Sequence, residues 1–172
     1  RLRLAVNRDK SAVDRPWNRK FLGYTVTRHG TKLQVSPKSV DRLRVKLMPI
    51  LRRRARGARL PAVLAELAPI IRGWVAYYRL ARIRADFERL DKWVRRRLRA
   101  AIWRQWKKPR TRAQELIKRG IEPRLAWGLA CCGHGPWWCA GQWTMSQAFS
   151  AKSLAGMGLV SFLDEHRRLS AS

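Results

Sequence analysis

Apolar positions along the chain change period once. Leu2, Leu4 and Val6 alternate with Arg3 and Ala5, the period of two expected of a half-buried strand, and Asn7-Arg8-Asp9-Lys10 reads as a turn. Residues 20–26, rich in aromatic and β-branched side chains, and residues 32–35 flank Arg28-His29-Gly30-Thr31. That pattern predicts a β-hairpin with a glycine-containing loop. From Ser36 onward the spacing becomes three to four. Ser36-Pro37 supplies an N-cap and a proline at the first helical position, and Val40, Leu43, Leu47 and Leu51 follow at helical intervals.

Prolines punctuate the helical part. Pro49 is expected to kink or end the first helix, and Pro69 to break the next one, whose stripe runs through Val63, Leu64 and Leu67 and continues through Ile70, Ile71, Trp74, Val75 and Tyr78. The clearest stripe is Phe87, Leu90, Trp93/Val94, Leu98, Ala101/Ile102 and Trp106, closed by Pro109. Shorter helices are predicted over 111–118, with Thr111 as a cap, and over 123–130. Residues 132–138 read as irregular, and 146–154 as weakly amphipathic. The fold class expected is mainly α, a helical bundle after a small β-hairpin, in three regions: 1–35, 36–120 and 121–172.

Charge narrows the function. The 172 residues carry 39 Lys and Arg against 11 acids, a net charge of +28. No soluble fold needs that excess for its own stability; it points to a polyanion. Up to Arg124 there are 36 cations and 9 acids, and from Leu125 on only 3 and 2. The polyanion therefore meets the first two thirds. No apolar run approaches the ~20 residues of a membrane span, so no membrane partner is expected. The opening Arg1-Leu2-Arg3-Leu4, without a methionine and inside a pattern, is expected of a piece of a longer cytoplasmic protein.

The cationic candidates fall in two groups. Arg52, Arg53, Arg54, Arg56 and Arg59 form a run read as a basic loop or frayed helix end; Arg95, Arg96, Arg99, Arg104, Lys107, Lys108, Arg110 and Arg112 follow the long stripe. Guanidinium groups bind phosphate oxygens bidentately and release counterions. Helix-turn-helix, zinc-finger and basic-zipper spacings are all missing, which favours shape and phosphate recognition of structured RNA over reading of a DNA major groove. Of nine tryptophans, Trp74, Trp93 and Trp106 fall in register with aliphatic neighbours and read as core. Trp17, Trp137 and Trp138 are the better base-stacking candidates, although packing is favoured for them as well. Cys131, Cys132, His134 and Cys139 have poor zinc spacing, because adjacent cysteines rarely ligate one tetrahedral ion. They read as buried thiols, and no metal site is expected. No nucleophile triad, phosphate-cradling glycine loop or carboxylate cluster is visible, so no catalytic centre is expected in this chain.

With these residues in view, the chain resembles the C-terminal part of group II intron-encoded reverse transcriptase/maturases. Leu4-Ala5-Val6-Asn7-Arg8-Asp9-Lys10-Ser11 is similar to a late palm motif, and Arg19-Lys20-Phe21-Leu22-Gly23-Tyr24 to the final polymerase motif, the primer-grip hairpin. Pro69-Ile70-Ile71-Arg72-Gly73-Trp74-Val75-Ala76-Tyr77-Tyr78 resembles the maturase signature, Trp103-Arg104-Gln105-Trp106-Lys107-Lys108-Pro109-Arg110-Thr111 the segment after it, and Gly135-Pro136-Trp137-Trp138 the closing pattern.

The resemblance implies a palm remnant followed by a helical thumb or maturase domain that grips group II intron RNA for splicing and template–primer during RNA-directed DNA synthesis, with target DNA as a further partner. It places Lys10 near the departing pyrophosphate as an accessory group and Phe21, Leu22 and Gly23 against the primer terminus. It implies Mg2+ for the full-length polymerase and a bacterial-type cytoplasmic location. The family's Tyr-x-Asp-Asp metal box does not occur in this chain, so copying is not expected of the chain alone, and the Cys131-Cys132-Gly133-His134 stretch departs from the family pattern. Two other readings stay open: the thumb of a reverse transcriptase without a splicing role, and a general basic RNA chaperone.

Overall fold

The computed structural model describes residues 14–28, 32–55, 57–82 and 84–171. Lys10 and the opening alternation lie outside the described residues, as do Arg56 and the side chain of Arg54. A 3₁₀ turn, Pro16–Asn18, leads into β1 (Tyr24–Val26), which pairs antiparallel with β2 (Leu33–Val35) in the register Tyr24↔Val35, Thr25↔Gln34, Val26↔Leu33. Nine helices follow among the described residues: α1 (Pro37–Ala55), α2 (Leu60–Tyr77), α3 (Arg84–Gln105), α4 (Pro109–Ile117), α5 (Pro123–Ala130), α6 (Pro136–Cys139), α7 (Trp143–Ala148), α8 (Ala151–Gly156) and α9 (Phe162–Ser170). The chain is mainly α with one small hairpin, as its periodicity predicts.

A two-stranded ribbon has little stability of its own, so this one is tied to the helices. Ser36 N–H and Ser39 Oγ–H donate to the Gly23 carbonyl at 2.9 and 3.2 Å, the Tyr24 hydroxyl donates to Tyr77 O at 2.6 Å, and the Tyr77 hydroxyl to Leu22 O at 3.1 Å. Gly23 has φ +82°, and a Cβ there would collide with the Tyr78 hydroxyl, so the docking turn requires glycine. Ser36 acts as the cap its sequence suggests, its Oγ accepting from Ser39 N–H at 3.4 Å.

Several helix boundaries differ from the sequence expectation. α1 and α2 run unbroken through Pro49 and Pro69. Both prolines are exposed, and the carbonyls they deprive of a donor belong to Val45 and Ala65, also exposed; solvent can replace a lost bond at such a position, so the prolines do not end the helices. Arg52 and Arg53 consequently lie in the last turn of α1, the helix-end alternative of the sequence reading. α4 starts at Pro109, two residues before Thr111, because proline suits the first helical position. Within 132–138 the structure forms the single-turn α6, and 146–154 divides at Ser150, whose Oγ accepts from Ser153 N–H at 3.1 Å and caps α8.

Two apolar cores share α3. Phe87, Leu90, Val94 and Leu98 from its first part pack with Leu47 of α1, Leu67 and Ile71 of α2 and Phe162 of α9; Ile102 and Trp103 from its last part pack with Leu116, Leu129, Met145, Phe149 and Leu154. The boundary expected at residue 120 falls within the second core. α2 is by length and composition apolar enough to cross a membrane, yet Val63, Leu64, Leu67, Ile71 and Val75 fill the first core here.

α9 is held by Asp91, a buried carboxylate on α3. It accepts from Phe162 N–H (2.9 Å), Leu163 N–H (3.1 Å) and the Ser161 hydroxyl (2.9 Å), so a tertiary carboxylate satisfies the free amides of the α9 N-terminus. Asp91→Ala should lower stability by about 2–3 kcal/mol, since three donors lose a charged acceptor in a buried setting. Denaturant melts would check this, with protease cutting expected first near α9.

Candidate nucleic-acid interface

Between Asp91 and Glu115 the chain carries ten Lys and Arg and no acid. α3 must bury an apolar stripe along its whole length, so these cations occupy its flanks and the linker into α4. Where each one lies decides what it does.

Some face other elements. Arg96 donates through Nε and Nη2 to the Trp137 carbonyl at 3.2 and 3.1 Å and lies 4.2 Å over the Trp137 ring. Gly141 makes this possible: a Cβ there would sit 2.7 Å from Arg96 Nη2. Arg99 reaches Phe149 O at 3.5 Å, and burial, followed by the charges of Arg95 and Arg96, pulls its pKa below the ordinary arginine value. Arg112 donates to Trp106 O at 2.7 Å and lies 4.7 Å over Trp103. Arg119, which the sequence did not single out, stacks 4.8 Å from Phe149 and pairs with Glu115 at 2.7 Å, a bond that holds the Glu115 carboxyl below its usual value. Arg53 is paired with Glu66.

Others face solvent. Arg52, Arg59, Arg104, Lys107, Lys108 and Arg110 are exposed, and among the described residues no ion pair engages them. Arg95 is half-buried and shares a cavity wall with Asp91 and Asp164. Arg52 and Arg104 meet Arg97 around another cavity, walled also by Trp137. Sequence reasoning missed Arg97. Its seven-residue spacing from Arg104 placed both on one helix face, but nothing in the sequence put Arg52 opposite them.

Phe21 and Leu22 project from the hairpin, 79% and 65% exposed, with Gly23 behind them against Tyr78 and Ser39. Trp74, Trp93 and Trp106 are half-buried against the two cores. Trp17 is half-buried with Arg15 5.6 Å from its ring, while Trp137 and Trp138 are exposed, the Trp138 ring 3.9 Å from that of His134 and tilted by 31° to it. Trp127 and Trp143 are exposed too; their helical neighbours gave no hint of it.

Among the described residues no three His, Cys, Asp or Glu side chains gather as a metal site. Cys139 is buried, with Sγ 3.5 Å from Cys132 Sγ and donating to His134 O at 3.4 Å. Burial, and then the Cys132 thiol, push its pKa from 9.0 up to about 12. Cys131 departs from the buried-thiol expectation and is exposed.

The comparison with known families falls on the cationic helices. Residues 40–120 match the family model of the group II intron, maturase-specific domain. No curated protein matches the chain. The maturase-specific match begins in α1 and ends just beyond α4, so it takes in both arginine runs and the cavity walls contributed by α1 and α3, while Trp137 lies outside it.

Two measurements check these placements. Arg96→Met should destabilise the fold by about 1–2 kcal/mol, since two charged hydrogen bonds and a ring contact disappear, whereas Lys107→Met should stay within about 0.5 kcal/mol. Alkylation of the native protein at mildly alkaline pH should modify Cys131 and spare Cys139, because the thiolate is the reactive form; equal labelling would mean that the Cys139 site is open.

Proposed function

We propose that this chain is the RNA-binding region of a group II intron maturase, holding structured intron RNA by its phosphates so that the intron folds for splicing. The match over residues 40–120 supports the maturase assignment. The observation that carries RNA binding is the row of exposed cations Lys107, Lys108 and Arg110, without acidic partners among the described residues, at the junction of α3 and α4. That junction borders the second core, so the charges are presented from a rigid base, and contacts to phosphates neutralise the strand and release its counterions. A-form RNA is recognised largely through shape and backbone, which suits a surface made of charge without a groove-reading helix.

In a longer polymerase the same surface would also hold template–primer.

The test replaces Lys107, Lys108 and Arg110 together with glutamine. RNA binding should weaken, and the slope of log K against log salt should flatten by about 2 to 2.7, at about 0.7–0.9 per phosphate contact. Unchanged affinity and slope would overturn the assignment. The intact chain should also prefer a group II intron to a scrambled RNA of equal length; equal binding would indicate a general basic RNA binder.

A further inference from the structure

The cavity between α1, α3 and α6 has a composition that its own stability does not explain. Met48, Leu51 and Arg52 come from α1, Arg97, Ala101 and Arg104 from α3, and Trp137 closes one side. Three arginines thus line one space of about 150 Å³, with no acid among the described residues of its wall. The acids that could neutralise them are committed elsewhere: Glu66 to Arg53, Glu115 to Lys118 and Arg119, Asp91 to the α9 amides.

Arg97 is the centre of this arrangement. Its guanidinium carbon lies 4.5 Å from the Trp137 ring centroid and 5.6 Å from that of Trp93, so two indoles hold the planar group in place, and little rotamer freedom remains to be lost on binding. Burial first, and then the charges of Arg52, Arg104 and Arg96, depress its pKa; an anion in the cavity would relieve that repulsion. Arg96 pins Trp137 through the backbone carbonyl, so the α6 wall is fixed to α3 as well.

A space of this volume, about that of a cavity that holds one benzene, has room for one phosphate, and the rest of a strand would lie outside it. We propose that this cavity is a single-phosphate socket, in which Arg52, Arg97 and Arg104 together hold one phosphodiester of the bound RNA strand. The inference rests on the RNA-binding reading above and deepens it: the exposed cations at the α3–α4 junction follow successive phosphates, whereas the socket concentrates three charges on one and so sets the register of the strand.

Salt dependence separates the possibilities, because its slope counts phosphates and not arginines. In the whole chain, replacing Arg52, Arg97 and Arg104 together with glutamine should cut RNA affinity at least tenfold while flattening the slope by only about 0.7–0.9, one phosphate's worth. A flattening of about 2 or more would mean three separate phosphate contacts, and no change would mean no contact; either result overturns the socket. Should the triple variant melt abnormally, the exposed Arg104→Gln alone should weaken binding with the slope unchanged, and a slope loss of about 0.7–0.9 in that variant would overturn the proposal. Millimolar inorganic phosphate at constant ionic strength should preserve the affinity gap between the parent chain and the triple variant; closing that gap would assign the site to a free anion and overturn its assignment to the strand. A parent chain whose RNA binding is independent of salt defeats the RNA-binding reading itself.

Discussion

One helix has to satisfy two cores at once. α3 spans 22 residues, about 33 Å at 1.5 Å per residue, and its apolar stripe is covered by α1, α2 and α9 over the first part and by the short helices α4 to α8 over the last. Neither core closes without it. The last 50 residues, sparse in charge, are therefore not an appendage: they supply most of the second core, and α9 returns to the first, where Asp91 receives its N-terminal amides.

Covering the stripe leaves the flanks of α3 to arginine, and the neighbouring aromatic rings divide these residues into two kinds. Arg96, Arg99 and Arg112 spend their donors on the carbonyls of Trp137, Phe149 and Trp106, so they brace α3 and α4 against the elements around them. A guanidinium is suited to this because its flat face packs on indole while its edge still donates hydrogen bonds. Lys107, Lys108 and Arg110 stay in solvent. The surface offered to a polyanion is thus smaller than the arginine count suggests and better anchored.

A net charge of +28 repels itself in the free protein, and the few acids present relieve it only locally. Binding a polyanion removes the repulsion and stabilises the fold by mass action. Rigidity then matters: charges carried on a helix shared by two cores keep their spacing, so little ordering would accompany their engagement with a polyanion, and the binding free energy would not be spent on organising the protein.

Much of the architecture was legible in the chain itself. Aromatic and β-branched residues on either side of a glycine-containing loop located the hairpin, Ser36-Pro37 marked the first helical turn, and the stripe from Phe87 to Trp106 marked α3, because burial of one face imposes a period whatever covers it. The charge imbalance implied a polyanionic partner for the same reason: no internal requirement explains it. Local rules went astray where the outcome depended on surroundings, at Pro49 and Pro69, whose exposure lets water replace the lost hydrogen bonds. Tertiary structure alone decided which arginines brace and which face solvent, that Asp91 caps a helix 71 residues away, and that Arg52 meets Arg97 and Arg104. Periodicity states that a face is buried but not what lies beside it, and the role of a charged side chain on the flank of a helix is set by its neighbours in space.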